Sequence, residues 1–297
     1  MHKSLSKITS VVGWNLFIIC SLALSIYFYN FLMSNSVQDD NHTFAKNIKR
    51  IFQEGQSEIS RHDIEVYLKK NSNKGVQLDI TAIFGFNLSG VDLSGLSMKS
   101  VNLRGANLSY AKLDMSDLSN SDLTGVDLAH ASLKGLTAHG AIINRVILKE
   151  ASLELADLRN AMLVGSDLRG ANLSGVNFSN ANLTDTDLTD TDLSQANLSE
   201  ARLNRAKLNS TNMTDTKCSK ADFYQASLIK ANMNNIDCQY ASFVDAHIRD
   251  SNLEGANFAH ADLRGAVMKY NSIYHTSFHL ANMGHVNDLQ SGNIGVE

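Results

Sequence analysis

Residues 184–198 read TDTDLTDTDLSQANL and place leucines at 188, 193 and 198. A hydrophobic residue at every fifth position suits neither regular element. Five residues of α-helix advance roughly 500°, so successive leucines would spiral around the axis and form no face. In a strand five is odd, so successive leucines would point to opposite sides of the sheet. A chain that turns a corner every five residues resolves the conflict. Each short side then points its central residue, and the residue two before it, inward, and leaves the other three outside.

The period is not local. From Leu78 to Met283 every fifth position, 42 in all, is apolar: 25 Leu, 5 Phe, 5 Met, 4 Ile, 2 Cys and 1 Ala. Two residues before each of these, 21 of the 42 positions are Ala and 10 more are Ser or Thr. No insertion breaks the register over this stretch. A small residue at the second inward position leaves room for the large one inside a narrow tube, and each turn of such a tube contacts only its neighbours, as in a solenoid.

The unit A-(D/N)-L-x-x recurs as ANLSG at 171–175, ANLTD at 181–185, ANLSE at 196–200 and ADLRG at 261–265. In this the chain resembles the pentapeptide-repeat family, over about 210 of its 297 residues. The resemblance implies a β-solenoid: a right-handed quadrilateral parallel β-helix of twenty-residue coils. Residues 76–285 would then make about ten coils, a rod roughly 50 Å long at ~4.8 Å per coil.

Twenty-residue coils fix which residues stack. Cys218 and Cys238 take the same inward position on adjacent coils, with Phe258 and Phe278 continuing the column. The two cysteines are either a disulfide or two buried thiols acting as small hydrophobes; the expectation is thiols, because stacked side chains point the same way, an awkward geometry for a bridge. Asn212, Asn232 and Asn252 should form an outward amide ladder. From 76 to 101 the second inward residues are Val76, Thr81, Phe86, Val91, Leu96 and Val101, with no Ala, so the first coils should be wider. At 136–140, LTAHG, Leu136 and Ala138 exchange the large and small roles, which predicts a local distortion without a break.

The N-terminus is different. Val11–Met33 carries no charge over 23 residues and would reach about 34 Å as a helix, enough for a ~30 Å hydrocarbon layer. Trp14, Tyr27 and Tyr29 lie near its ends, where amphipathic rings prefer the interface. Its length favours an uncleaved anchor over a signal peptide cut near 34–36. Lys3 and Lys7 precede the span and Asp39 and Asp40 follow it, so the expected topology is single-pass, with a cytoplasmic N-terminus and the repeats on the far, extracytoplasmic side. The expected organisation is a tip and transmembrane helix over 1–33, a linker and short capping helices over 34–75, the β-helix over 76–285 and a polar tail over 286–297. Within the second segment, Phe44, Ile48, Ile51 and Phe52 share one helical face, and Ile59, Ile64, Tyr67 and Leu68 suggest a second helix, with Ser60 as its cap. An uncovered tube end would expose strand edges, so residues 44–70 are assigned to cover it.

Composition narrows the function. A net charge of −4 argues against general nucleic-acid binding. Three cysteines without a CxxC pair, and His275, His279 and His285 at no ligand spacing, argue against a metal site. Ser, Asp and His abound at outward positions, so a catalytic triad read from them would carry no information. The reading is non-enzymatic, with no cofactor and no small-molecule substrate, because large side chains fill the interior. The candidate interaction surface is the acidic run Asp185, Asp187, Asp190 and Asp192 with the basic band Arg202, Arg205, Lys207, Lys217 and Lys220.

These features suggest a membrane-anchored interaction or scaffold rod, joined to the membrane through residues 11–33 and binding an unidentified protein partner. One alternative is a secreted bacterial effector acting at a host membrane. Another comes from the resemblance: in the gyrase-protecting quinolone-resistance members, an acidic rod imitates duplex DNA. Here the repeats hold 22 acidic and 17 basic residues. DNA would present about 30 charges over roughly 50 Å, at one per ~1.7 Å, so the imitation is poor.

Overall fold

A computed structural model of the chain describes residues 61–71, 78–81 and 86–287. The 11–33 span, the 44–52 helix, the cap at Ser60, the linker and the tail beyond 287 lie outside the described residues. Among the described residues no helix is long and apolar enough to cross a membrane.

The repeats form the solenoid that their period demands. Parallel bridges join residues twenty apart without interruption, from Asn87–Asn107 to Val267–Asn287, which makes ten coils. Each quintet contributes one side, so a coil has four. We call them side A (the quintets centred on Leu103, Leu123 and so on), side B (Leu108, Leu128), side C (Leu113, Leu133) and side D (Leu118, Ala138). At the N-terminal end β1 (Leu78–Asp79) lies parallel to β2 (Val101–Asn102). Longer pairings occur once within the regular coils, where β3 (Ser227–Ile229) lies parallel to β4 (His247–Arg249).

The backbone explains why five residues make one side. All forty residues from Gly90 to His285 at intervals of five have φ between 54° and 70°. The amide of the next residue closes a four-residue turn onto the central carbonyl, as Ala106 N does onto Leu103 O at 3.0 Å. A positive φ at the third of four residues is the requirement of a type II turn, and it makes the corner. Eleven of the forty are glycine; many others are Asn, Asp or His, the side chains that tolerate this region best.

The second residue of the motif is explained in the same way. An Asn or Asp there accepts, through Oδ1, the amide two residues on: Ser94 N to Asp92 at 3.0 Å, Ser119 N to Asp117 at 3.0 Å, Ser199 N to Asn197 at 3.0 Å. These Asx turns hold the approach to each corner. The first position tolerates Ser and Thr because a carbonyl is within reach of each hydroxyl. Thr186 Oγ1 donates to Leu183 O at 2.7 Å, and Thr216 Oγ1 donates to Leu193 O of the preceding coil at 2.8 Å, so neither buried hydroxyl is stranded.

Inside, the central leucines and their small partners are almost wholly removed from water. Leu136 and Ala138 are both buried, and the bridges of Thr137 to Asp117 and Asp157 are intact, so the exchanged pair fits without a break. Towards the C-terminal end the core turns aromatic: Phe223 stacks on Phe243 at 4.5 Å, and Phe258 on Phe278 at 5.5 Å. Cys218 and Cys238 are joined as a disulfide, their Cα atoms 4.6 Å apart. This corrects the expectation of two thiols. Adjacent coils hold equivalent Cα atoms inside the range of about 4.4–6.8 Å that a bridge accepts, so neighbouring side chains meet without pointing at one another.

The N-terminal end departs from the regular coil. Helix α1 (Arg61–Asn71) buries Ile64 and Leu68 in the same core as the first coils, and Arg61 reaches Asp92 at 3.3 Å. Strand β1 pairs with β2 at a separation of 23 residues, so the first coil is wider by three. Phe86 does not point inward as its position in the period suggests; it is 62% exposed.

Candidate interaction surface

The acidic run and the basic band occupy consecutive coils. Coil 181–200 carries five acids and no base; coil 201–220 carries five bases and one acid. The fold wraps each set around the perimeter. Asp185, Arg202 and Arg205 lie on side A; Asp187, Asp190 and Lys207 on side B; Asp192 on side C; Lys217 and Lys220 on side D. The nine residues therefore make two stacked rings and not one patch.

Three ion pairs join the rings. Arg205 grips Asp185 with two nitrogens at 2.7 and 2.6 Å, Lys207 reaches Asp187 at 3.4 Å, and Lys220 reaches Glu200 at 3.4 Å. Asp192 instead accepts the Asn212 amide at 3.0 Å. The hydrogen bonds from Arg205 hold the Asp185 carboxyl below its ordinary range and push the guanidinium up. The same device recurs within single sides, where Arg159, Arg169 and Arg264 fold back on Asp157, Asp167 and Asp262 and lower those carboxyls.

Two features are visible only once residues are sorted by side. Corner residues stack into short columns: Tyr110 on His130 at 4.9 Å, with Glu150 3.4 Å beyond, and Tyr240 on His260 at 4.7 Å. Side C is the other. From Ser152 to His275 it bears no Lys or Arg. Its surface is mostly Ser, Thr, Asn and Gln, with Glu154, Asp192, Asp215 and Glu254 as its acids and Leu155, Tyr274 and His275 near its two ends. Glu154 meets Lys134 at 3.0 Å; the other three have no cationic partner among the described residues. The Asn ladder lies on this side, Asn232 donating to Asn212 and Asn252 to Asn232, each at 3.3 Å. A stride of twenty in the sequence is the signal that finds both features. Among the described residues no group of His, Cys, Asp and Glu is arranged to hold a metal ion.

Comparison with known proteins agrees with this architecture. The chain is similar to HetL, a pentapeptide repeat protein involved in heterocyst differentiation regulation from the cyanobacterium Nostoc sp. strain PCC 7120. The identity is 25%, the match covers 77% of this chain and 95% of that one, and the TM-score is 0.50. It is also similar to trypsin-treated QnrB1, a plasmid-mediated fluoroquinolone resistance protein, at 21% identity, over 65% of this chain and 90% of that one, with a TM-score of 0.48. Rfr23 from the cyanobacterium Cyanothece 51142 matches at 25% identity, over 44% of this chain and 95% of that one, with a TM-score of 0.28. A search of curated proteins finds no match. The sequence profile of pentapeptide repeats matches in eight copies between residues 87 and 284. The chain belongs to the pentapeptide-repeat family.

Proposed function

We propose that the protein is a non-catalytic interaction rod, held at a membrane by residues 11–33, that binds a protein partner along side C. The observation that carries this reading is the unbroken side itself. Over seven coils, about 29 Å from first to last at ~4.8 Å each, it is largely hydrogen-bonding and free of Lys and Arg. The filled core leaves the outer sides as the surface for recognition. On this side Asp192, Asp215 and Glu254 have no cationic partner among the described residues and are available to a cationic partner, whereas Asp185, Asp187 and Glu200 on the other sides are paired with the next coil.

A DNA-mimicking role is less well supported. Duplex DNA would show about 17 charges over the length of side C, at one per ~1.7 Å, where this side has four acids. Each of the other sides carries both acids and bases.

The test is differential capture with the full chain in its membrane fraction. A partner retained by the native protein should be lost by the triple reversal Asp192→Lys, Asp215→Lys and Glu254→Lys. It should be kept by reversal of Asp222, Asp245 and Asp262 on side A. Equal retention by both variants, or a full-length product found entirely in the soluble fraction, would remove the proposal.

A further inference from the structure

The outward ladder position, the one before each central residue, is polar almost throughout the rod. Among the described residues it runs from Asn87 to Asn287, and it is apolar at four places: Ile142, Ile147, Met162 and Val267. Three of the four are neighbours. Ile142 and Met162 are bridged to one another on side A, and Ile147 lies round the corner on side B. Ile142, Met162 and Ile147 are 39%, 43% and 43% exposed, and Val164 stands beside Met162 on the same side. Single apolar residues on a surface need no explanation, but a contiguous group on an otherwise polar face calls for one.

Stability does not account for the group. Asn or Asp at this position caps the amide two residues on, which Ile and Met cannot do. The Val164 amide is accepted instead by Asn144 Oδ1 of the coil before, at 2.9 Å. These side chains point away from the core, so what they forgo locally is not returned by packing inside. A cation completes the group. Arg145 stands at the corner between Ile142 and Ile147, with Gly125 and Gly165 at the same corner one coil to either side. Its stem lies across Gly165, where an added Cβ would be 3.9 Å from Arg145 Cγ. Among the described residues no carboxylate pairs with it. Asp122 is held by Arg104 at 3.0 Å, Asp185 by Arg205 at 2.6 Å and Asp167 by Arg169 at 2.6 Å. Glu150 lies against His130 and Lys149, and Asp127 caps the Ala129 amide.

We propose that Ile142, Met162, Val164, Ile147 and Arg145 form a second docking site, whose occupant is a segment of another protein that sets a carboxylate beside aliphatic side chains. The charge selects that occupant. In a two-fold pair the same patch meets itself, which would set Arg145 against its own copy. An acidic segment gives the guanidinium the two-pronged partner it lacks. Side A is opposite side C in a four-sided coil, so the rod would hold an acidic partner on one face and a cationic one on the other.

Fluorescence anisotropy on the full chain tests this with three labelled synthetic peptides: one of leucine and glutamate, one with lysine in place of glutamate, and one with serine in place of leucine. The first should bind at least about tenfold more tightly than either of the others. Arg145→Glu should reverse the order of the first two. Ile142→Asn with Met162→Asn installs the residue usual at this position. It should abolish binding of the leucine–glutamate peptide and leave the melting temperature unchanged or raised. Reversal of Asp192, Asp215 and Glu254 on side C should leave the order of the peptides as it is, so this site and the side C reading fail separately. No preference for the first peptide, a preference that survives the Asn pair, or a melting temperature lowered by that pair overturns the proposal.

Discussion

Arg205 stands one coil beyond Asp185 at the same corner, and its Nε and one terminal nitrogen close on the two carboxylate oxygens at 2.7 and 2.6 Å. The fork is possible because the corner repeats every twenty residues with the same backbone angles, φ 59° at Asp185 and 58° at Arg205. It has a pH signature. The Arg205 hydrogen bonds lower the folded carboxyl below its unfolded value of about 3.9. The stabilisation is therefore fully present above roughly pH 4 and is lost as pH falls through the folded value. Carboxyl-detected NMR should show Asp185 titrating below about 3.9, and Arg205→Gln should move it back up. A midpoint unmoved by that substitution would show that the fork does not form in solution.

Burial ranks the leucines. Leu198 is 0% exposed, whereas Leu155, at a corner, is 75% exposed. Leu198→Ala should cost about 2–5 kcal/mol, from lost transfer energy and the cavity left behind. Leu155→Ala should stay within about 0.5 kcal/mol. Denaturant unfolding of the two variants checks the contrast, and similar losses would contradict the arrangement of the core.

Gly140 closes LTAHG at φ +66°, and a Cβ there would lie 2.8 Å from the Asn120 side-chain oxygen one coil back. Gly140→Val combines a conformation that β-branched residues resist with a crowded neighbour, and should cost about 1–3 kcal/mol. Gly125 has a similar φ, and a Cβ added to it would meet nothing within 4 Å. Gly125→Asn should therefore cost less than Gly140→Val in the same thermal melt.

The bridge between Cys218 and Cys238 is testable by counting thiols. Denatured without reductant, the chain should take up one alkyl group, at Cys20, and three after reduction. The bridge closes a short loop, so a Cys218→Ala, Cys238→Ala variant should lose about 3 kcal/mol on the chain-entropy estimate. Three alkyl groups without reductant would refute the pairing.

Much of this architecture is legible in the residues. The five-residue period of the apolar positions gives the corner, the small residue two before gives the inward pair, and a coil of twenty aligns the Asn212–Asn232–Asn252 ladder. Other features are less legible, for physical reasons. The bridge between Cys218 and Cys238 runs against the parallel directions of stacked side chains, and the short distance between coils that permits it belongs to the backbone. Phe86 has the period of an inward residue, but the wider first coil does not hold it there. The charged residues from 185 to 220 look like two patches in linear order, whereas a corner at every fifth residue deals them out to four sides. Which of them meet is decided by the separation of twenty, as with Asp187 and Lys207, and not by adjacency.

Because every ladder contact of the regular coils spans the same interval, whole laps are interchangeable units. Excising residues 181–200 and joining Asn180 to Ala201 would restore each backbone pairing one level down and shorten the rod by about 4.8 Å. The guanidinium of Arg205 would then stand over Gly165 with no carboxylate beneath it, while Lys207 would find Asp167 in place of Asp187. Length and charge pattern are thus separately adjustable: the number of laps sets reach, and the choice of residues at each level sets which levels attract.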